Sequence, residues 1–206
     1  MSGDGVTVAA LALGCSAGGV DALCALLPSL ARDGGIPVFV VVHLPRERPS
    51  HLVDIFGRRC ALSVVEAEDK QPVEPGTIYF APPDYHLLLE RGPALALSVD
   101  ELVHFSRPAI DVLFQSAADV YGAGLLAVVL SGANEDGAAG LSAVARAGGR
   151  TLVQNPESAV APAMPRAALQ QVPRSPTLEL PEIAELFSQI RRGSCPRAAF
   201  SPRTFA

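Results

Sequence analysis

The run Val38-Phe39-Val40-Val41-Val42 constrains this chain more than any other feature. Five consecutive apolar residues, most of them β-branched, suit a strand buried on both faces, which is the position of a strand inside a parallel sheet. Parallel strands need crossover connections, usually helices packed on the sheet. The rest of the sequence follows that rule, with short apolar runs alternating with helical-period segments. Val6–Gly14 reads as a strand and Gly18–Arg32 as the helix after it, before the strand Pro37–His43. Pro49–Cys60 reads as helical, Leu62–Glu66 as extended and Thr77–Ala81 as a strand. Tyr85–Glu90 and Ala94–Val99 flank Arg91-Gly92-Pro93 in the manner of an antiparallel hairpin. Pro108–Tyr121 carries Ile110, Leu113, Phe114 and Ala117 at helical spacing, with proline in the first turn. Leu125–Leu130 and Thr151–Gln154 read as strands, Gly137–Ala147 as the helix between them, and Met164–Gln171 and Pro181–Arg192 as closing helices. The expectation is a doubly wound α/β domain over residues 1–192. It has a mostly parallel sheet, helices on both faces and one antiparallel hairpin, with a flexible tail rich in Pro, Ser and Arg over 193–206.

Composition narrows the function. A net charge of −5, with no clustered Lys and Arg, argues against a nucleic-acid platform. No apolar run reaches membrane-spanning length, and Met1-Ser2-Gly3-Asp4 lacks the positive start of a signal peptide. Cys15, Cys24, Cys60 and Cys195 form no CxxC pair and no zinc-ligand spacing, so they read as thiols in a reducing compartment, with the cytoplasm as the expected location.

The chemistry gathers at strand ends. Gly14-Cys15-Ser16-Ala17-Gly18-Gly19 has the Gly-x-Ser-x-Gly spacing of a nucleophile elbow, a tight strand-to-helix turn that exposes a serine. The same residues also fit a glycine-rich turn with Ser16 as a helix cap, or a phosphate cradle. His43 closes the valine-rich run, at the carboxyl edge where open α/β sheets bind ligands. His51, His86 and His104 have no equally telling position. Asp136 falls just past one strand and just before a helix, where it also reads as a helix cap, with Asn134 and Glu135 as near competitors. Together the three residues supply a hydroxyl, a base to take its proton and a carboxylate to fix the base's tautomer.

The chain resembles the catalytic domain of the CheB-type chemotaxis protein-glutamate methylesterases. The marks are the Gly14–Gly19 turn, Val42-His43-Leu44-Pro45, Glu66-Ala67-Glu68-Asp69, Gly76–Pro82, Ser106–Phe114, Asp136–Leu141 and Ala163–Ala168, in that order. The resemblance implies Ser16 as nucleophile, His43 as general base and Asp136 as orienting acid. The reaction it implies is hydrolysis of glutamate methyl esters on chemoreceptor helices, with deamidation of receptor glutamines as a companion activity and no metal or organic cofactor. The main-chain N–H groups of Ala17 and Ala133 are the candidate oxyanion donors. Arg107 and Arg166, each near a predicted helix start, are candidates for guiding an acidic receptor helix, or else ordinary solvated arginines. The sequence departs from the family in two respects. Ser131-Gly132-Ala133-Asn134 stands where relatives carry Thr-Gly-Met-Gly, and the family's N-terminal receiver domain is expected to be absent, the chain being either a stand-alone member or an excised fragment. Control by a separate receiver or scaffold protein is then expected. A nucleotide- or phosphate-binding module and a catalytically weak receptor-docking scaffold stand as the competing readings.

Overall fold

The computed structural model describes residues 5–44, 50–92, 94–190, 194–196 and 200. In chain order the elements begin with β1 (Gly5–Thr7), β2 (Ala10–Cys15), α1 (Gly19–Leu26), β3 (Val38–Val42), α2 (Leu52–Gly57) and β4 (Ser63–Glu66). β5 (Thr77–Phe80), β6 (His86–Glu90), β7 (Ala94–Ser98), α3 (Ile110–Tyr121), β8 (Leu125–Val129) and α4 (Ala138–Arg146) follow. The last are β9 (Arg150–Gln154), α5 (Ala163–Gln171), β10 (Thr177–Leu178), α6 (Leu180–Ser188) and β11 (Ser194–Pro196). Seven strands build one parallel sheet in the order β10-β9-β8-β2-β3-β5-β4. The chain leaves the central β2 first toward β3 and later returns to β8 on the other side. That reversal beside β2 is the switch point where such sheets open a crevice at their carboxyl ends.

Strand alternation builds two cores, one on each face. Leu11, Leu13, Val38, Val40, Val42, Ile78, Phe80, Leu126 and Val128 point to one face, where Leu23 and Leu26 of α1, Phe56 of α2 and Ile183 and Phe187 of α6 cover them. Ala10, Ala12, Phe39, Val41, Tyr79, Leu125, Ala127 and Val129 point to the other, under Leu113 and Phe114 of α3, Leu141 and Val144 of α4 and Met164 of α5. The second face is lined by small residues along β2 because α3 lies very close there. A Cβ on Gly14 would stand 2.2 Å from Ile110 Cγ2, so glycine is what lets the start of α3 reach the edge of the sheet. The hairpin β6–β7 is antiparallel and packs against α3.

Several boundaries differ from the sequence reading for identifiable reasons. The helix expected over Gly18–Arg32 ends at Leu26, because Pro28 cannot donate to the preceding turn and a 3₁₀ turn over Leu27–Ser29 takes its place. The helix expected from Pro108 begins at Ile110, since Ala109 is extended. Pro49, where the second helix was expected to begin, lies outside the described residues, and that helix is confined to Leu52–Gly57. β10 is two residues long and carries no periodicity that could announce it. Of the expected tail, Ser194–Pro196 forms β11 against β1, with Cys195 buried, and most of the remainder lies outside the described residues.

Candidate active site

Ser16 follows the last residue of β2. Its N–H donates to Ser131 O at 2.9 Å, and its carbonyl accepts from Gly19 N–H at 2.8 Å, which bends the chain directly into α1. The bend runs through Gly18 at φ +76°, and a Cβ there would meet Val160 Cβ at 2.5 Å. Ser16 is therefore half-buried at the N-terminal end of a helix, the end that favours a developing negative charge. His43 follows β3, the neighbour of β2, and its N–H donates to Cys15 O at 3.1 Å. The register that pairs Cys15 with Val42 sets Ser16 and His43 side by side at the sheet edge.

Asp136 sits beyond β8, on the other side of β2. It is fully buried, and His43 Nε2 lies 2.8 Å from its Oδ2. The carboxylate does not cap the helix that follows it, since α4 has Gly137 at its N-cap and no side-chain cap. It caps α3 instead, with Oδ2 accepting from Ile110 N–H at 2.6 Å and Oδ1 from Asp111 N–H at 3.0 Å. Asp111 returns the arrangement, its Oδ1 accepting from Gly140 N–H in the first turn of α4 at 2.6 Å. Each helix start thus holds a carboxylate supplied by the other. Burial pushes the Asp111 carboxyl above its ordinary value, the Gly140 N–H pulls it back, and the neighbouring Asp136 charge adds to the rise. His104 lies beside this pair, Nε2 at 3.3 Å from Asp111 Oδ2 and Nδ1 at 3.3 Å from Glu135 Oε1.

An ionised carboxylate only accepts, so the Asp136 contact selects the tautomer with the proton on Nε2 and the lone pair on Nδ1. Nδ1 faces Ser106 Oγ at 3.4 Å, a long contact, and Ser106 Oγ is also 3.4 Å from His104 O. Ser16 Oγ makes no hydrogen bond among the described residues. The fold thus couples two of the three expected partners directly and holds the third at the adjacent strand end. The exposed residues Ala17 and Ala133 have N–H groups with no acceptor among the described residues. Asn134 keeps a negative φ and accepts from Asp136 N–H at 3.3 Å, so the departure at Ala133-Asn134 does not push the loop into left-handed backbone.

The two arginines are engaged. Arg107 binds Asp84 Oδ1 through Nε at 3.1 Å and Nη2 at 2.9 Å, and its Nη1 donates to Val99 O at 2.6 Å and Asp100 O at 2.9 Å. With its side chain only 18% exposed, it pins the segment after β7 rather than reaching for solvent. Arg166 pairs with Glu157 at 3.1 Å on the open surface. Sequence reasoning missed Asp111, Ser106 and Ser131. Ser131 Oγ donates to Ala17 O at 2.6 Å and accepts from Ala161 N–H at 2.9 Å, tying the serine turn to the segment before α5. An aspartate among the apolar positions of a predicted helix was the one available signal for Asp111. His104, Asp111 and Asp136 could offer a metal ion ligand atoms within 4.8 Å of one another, but both carboxylates already serve backbone N–H groups.

Residues 11–187 match the family model described as CheB methylesterase. A protein of Leptospira interrogans, provisionally named a protein-glutamate methylesterase/protein-glutamine glutaminase, is 41% identical over 181 residues, 88% of this chain and 94% of that one. A Syntrophus aciditrophicus protein-glutamate methylesterase/protein-glutamine glutaminase is 36% identical over 78% of this chain, which spans only 47% of that longer protein. Among solved structures, the Thermotoga maritima CheB methylesterase catalytic domain superposes with a TM-score of 0.84 at 30% identity, covering 90% of this chain and 100% of that one.

Proposed function

This chain belongs to the CheB methylesterase family, and from that premise we propose that it hydrolyses glutamate methyl esters on chemoreceptor helices through an acyl-serine at Ser16. The observation that carries the reading is the buried Asp136–His43 pair at 2.8 Å beside a serine turn. In this mechanism Ser16 Oγ rotates toward His43 Nδ1, gives up its proton there and attacks the ester carbonyl. Asp136 holds the ring and balances the imidazolium. The N–H groups of Ala17 and Ala133 receive the oxyanion. Collapse of the tetrahedral species returns the proton from His43 to the leaving methoxide, which departs as methanol. Water then attacks the acyl-serine by the same route and releases the glutamate. An amide leaving as ammonia follows the same steps, so receptor glutamines are proposed as second substrates.

The 11–187 match supports taking residues 1–192 as the catalytic unit. No helix among the described residues is long and apolar enough to cross a membrane, and the four cysteines are free thiols. Both agree with our placing the chain in the cytoplasm, where receptor signalling helices lie. Ser106 is the competing nucleophile, because its hydroxyl lies 3.4 Å from His43 Nδ1, whereas Ser16 Oγ makes no hydrogen bond among the described residues. It faces no free helix N-terminus, which favours Ser16. Methanol release from a methylated receptor fragment decides between them. Ser16→Ala should lose nearly all turnover while Ser106→Ala stays within about tenfold of wild type. Turnover surviving in Ser16→Ala but lost in Ser106→Ala would reverse the assignment.

A further inference from the structure

Among the described residues the exposed large hydrophobic side chains are Tyr85, Val99, Leu102, Phe105 and Val160. Single exposed apolar residues are ordinary, but these gather on the rim of one site. Val160, 76% exposed, lies against Gly18 on the serine side, and the next residue, Ala161, donates to Ser131 Oγ. The other four lie on the histidine side. Phe105, 94% exposed, directly precedes Ser106, and with Leu102, Glu101, His104 and Arg107 it lines an open depression of 660 Å³. Arg107 gathers the remaining two by binding Val99 O and Asp84, the neighbour of Tyr85. Ser16 and His43 therefore sit between two apolar banks.

Phe105 is held there at a backbone cost. Val103 and Ser106 exchange both main-chain hydrogen bonds, at 3.2 and 2.9 Å, around a two-residue turn with φ 48° at His104 and 60° at Phe105. Such turns normally take asparagine or glycine, and a bulky side chain at positive φ is disfavoured. His104 is fastened to Asp111 and Glu135, which fixes the turn from which the ring projects. An aromatic side chain on a fixed backbone has only two side-chain torsions to lose on binding and suits a protein-binding hot spot.

We propose that Phe105, with Leu102 beside it and Val160 across the site, is the docking surface for the substrate helix, gripping apolar residues one turn either side of the glutamyl ester. The proposal rests on the reading that Ser16 acts on glutamyl esters of a protein. Charge agrees with it. The exposed carboxylates nearby, Glu135 and Glu157, are engaged by His104 and Arg166, so what the rim offers a partner is its apolar side chains, which suits a neutral ester flanked by apolar residues.

The test uses the full chain carrying Ser16→Ala, so that the ester persists, and follows binding of a methyl-esterified receptor helical fragment by fluorescence anisotropy. Adding Phe105→Asn, which suits the turn and removes the ring, should raise Kd about tenfold, Val160→Ser should raise it a few fold, and Phe105→Tyr should restore wild-type binding. An unchanged Kd in Phe105→Asn, or no binding of the fragment by the Ser16→Ala parent, overturns the proposal. Self-association of the free protein that Phe105→Asn dissolves would assign the surface to a second copy and overturn it equally. Hydrolysis of a small neutral methyl ester by the unmodified chain is the separate check on the underlying reading, since it requires Ser16 and no docking surface.

Discussion

Replacing Asp136 by asparagine separates what this carboxylate does for the fold from what it does for the chemistry. Oδ2 serves two donors, Ile110 N–H and His43 Nε2–H, while Oδ1 serves Asp111 N–H alone. An asparagine amide satisfies more donors with its oxygen at the Oδ2 position and its NH₂ facing Asp111 N–H. His43 then keeps its tautomer, and one buried N–H loses its acceptor. An orphaned buried donor costs about 1–3 kcal/mol, which for a chain of this size lowers Tm by roughly 3–10 °C. The rate falls for a different reason. The imidazolium formed when Ser16 attacks loses a counter-charge whose centre lies roughly 4 Å away, worth about 4 kcal/mol at an effective dielectric near 20. That corresponds to a loss of about a thousandfold in kcat. Steady-state methanol release and thermal melts on one preparation measure both effects. Asp136→Ala should melt lower than Asp136→Asn, because it leaves both helix-start donors unsatisfied. A kcat within tenfold of wild type, or equal melting of wild type and both variants, would refute the anchoring and the role assigned to the charge.

Gly14→Ala should destabilise the fold by about 1–3 kcal/mol and depress kcat with it, because the new methyl stands 2.2 Å from Ile110 Cγ2 and displaces the helix start that holds Asp136. Thermal melts check this, and an unaltered Tm would show that α3 has room to move. Burial raises the Asp111 carboxyl, so as pH rises the unfolded chain releases this proton before the folded one does, and stability falls from the ordinary carboxylate range up through the raised folded value. Asp111→Asn cannot titrate, so its Tm relative to wild type should improve as pH rises from the ordinary carboxylate range upward; a wild-type advantage that grows with pH would refute the assignment. Burial pushes the Cys15 thiol to about 12, so iodoacetamide at neutral pH should leave Cys15 unlabelled and activity intact although it adjoins Ser16. Peptide mapping that ties inactivation to Cys15 would contradict its burial.

The sheet was legible because its signal is local. The valine run before His43 and the alternation along β2, β5 and β8 put side chains on two faces by period alone, whatever else the chain does. The strand ends then placed Ser16, His43 and Asp136 on one edge. What escaped depends on contacts between distant segments. Asp136 reads as the cap of the helix that follows it, and nothing nearby in sequence says that it caps α3 from 25 residues away. Arg107 carries a charge that suggests a surface role, while its partner Asp84 and the carbonyls of Val99 and Asp100 become visible only after the hairpin folds. The turn at His104-Phe105 defies local preference, having none of the residues such a turn selects, so sequence reasoning gave it no special conformation.

The exchange of carboxylates between α3 and α4 bears on how freely the loop 131–135 can diverge. Asp136 takes its position from two amides on another helix, and Asp111 ties that helix back to the start of α4. Against those contacts, the side chains of Asn134 and Glu135 add only longer ones, from Asp136 N–H to Asn134 Oδ1 at 3.3 Å and from His104 to Glu135 at 3.3 Å. Evolution can therefore rewrite the loop's outward-facing residues, and with them the shape offered to a substrate, while the His43–Asp136 distance stays put. Ala133 and Asn134 lie in that stretch, and homologues with other residues there should share the same histidine–aspartate geometry.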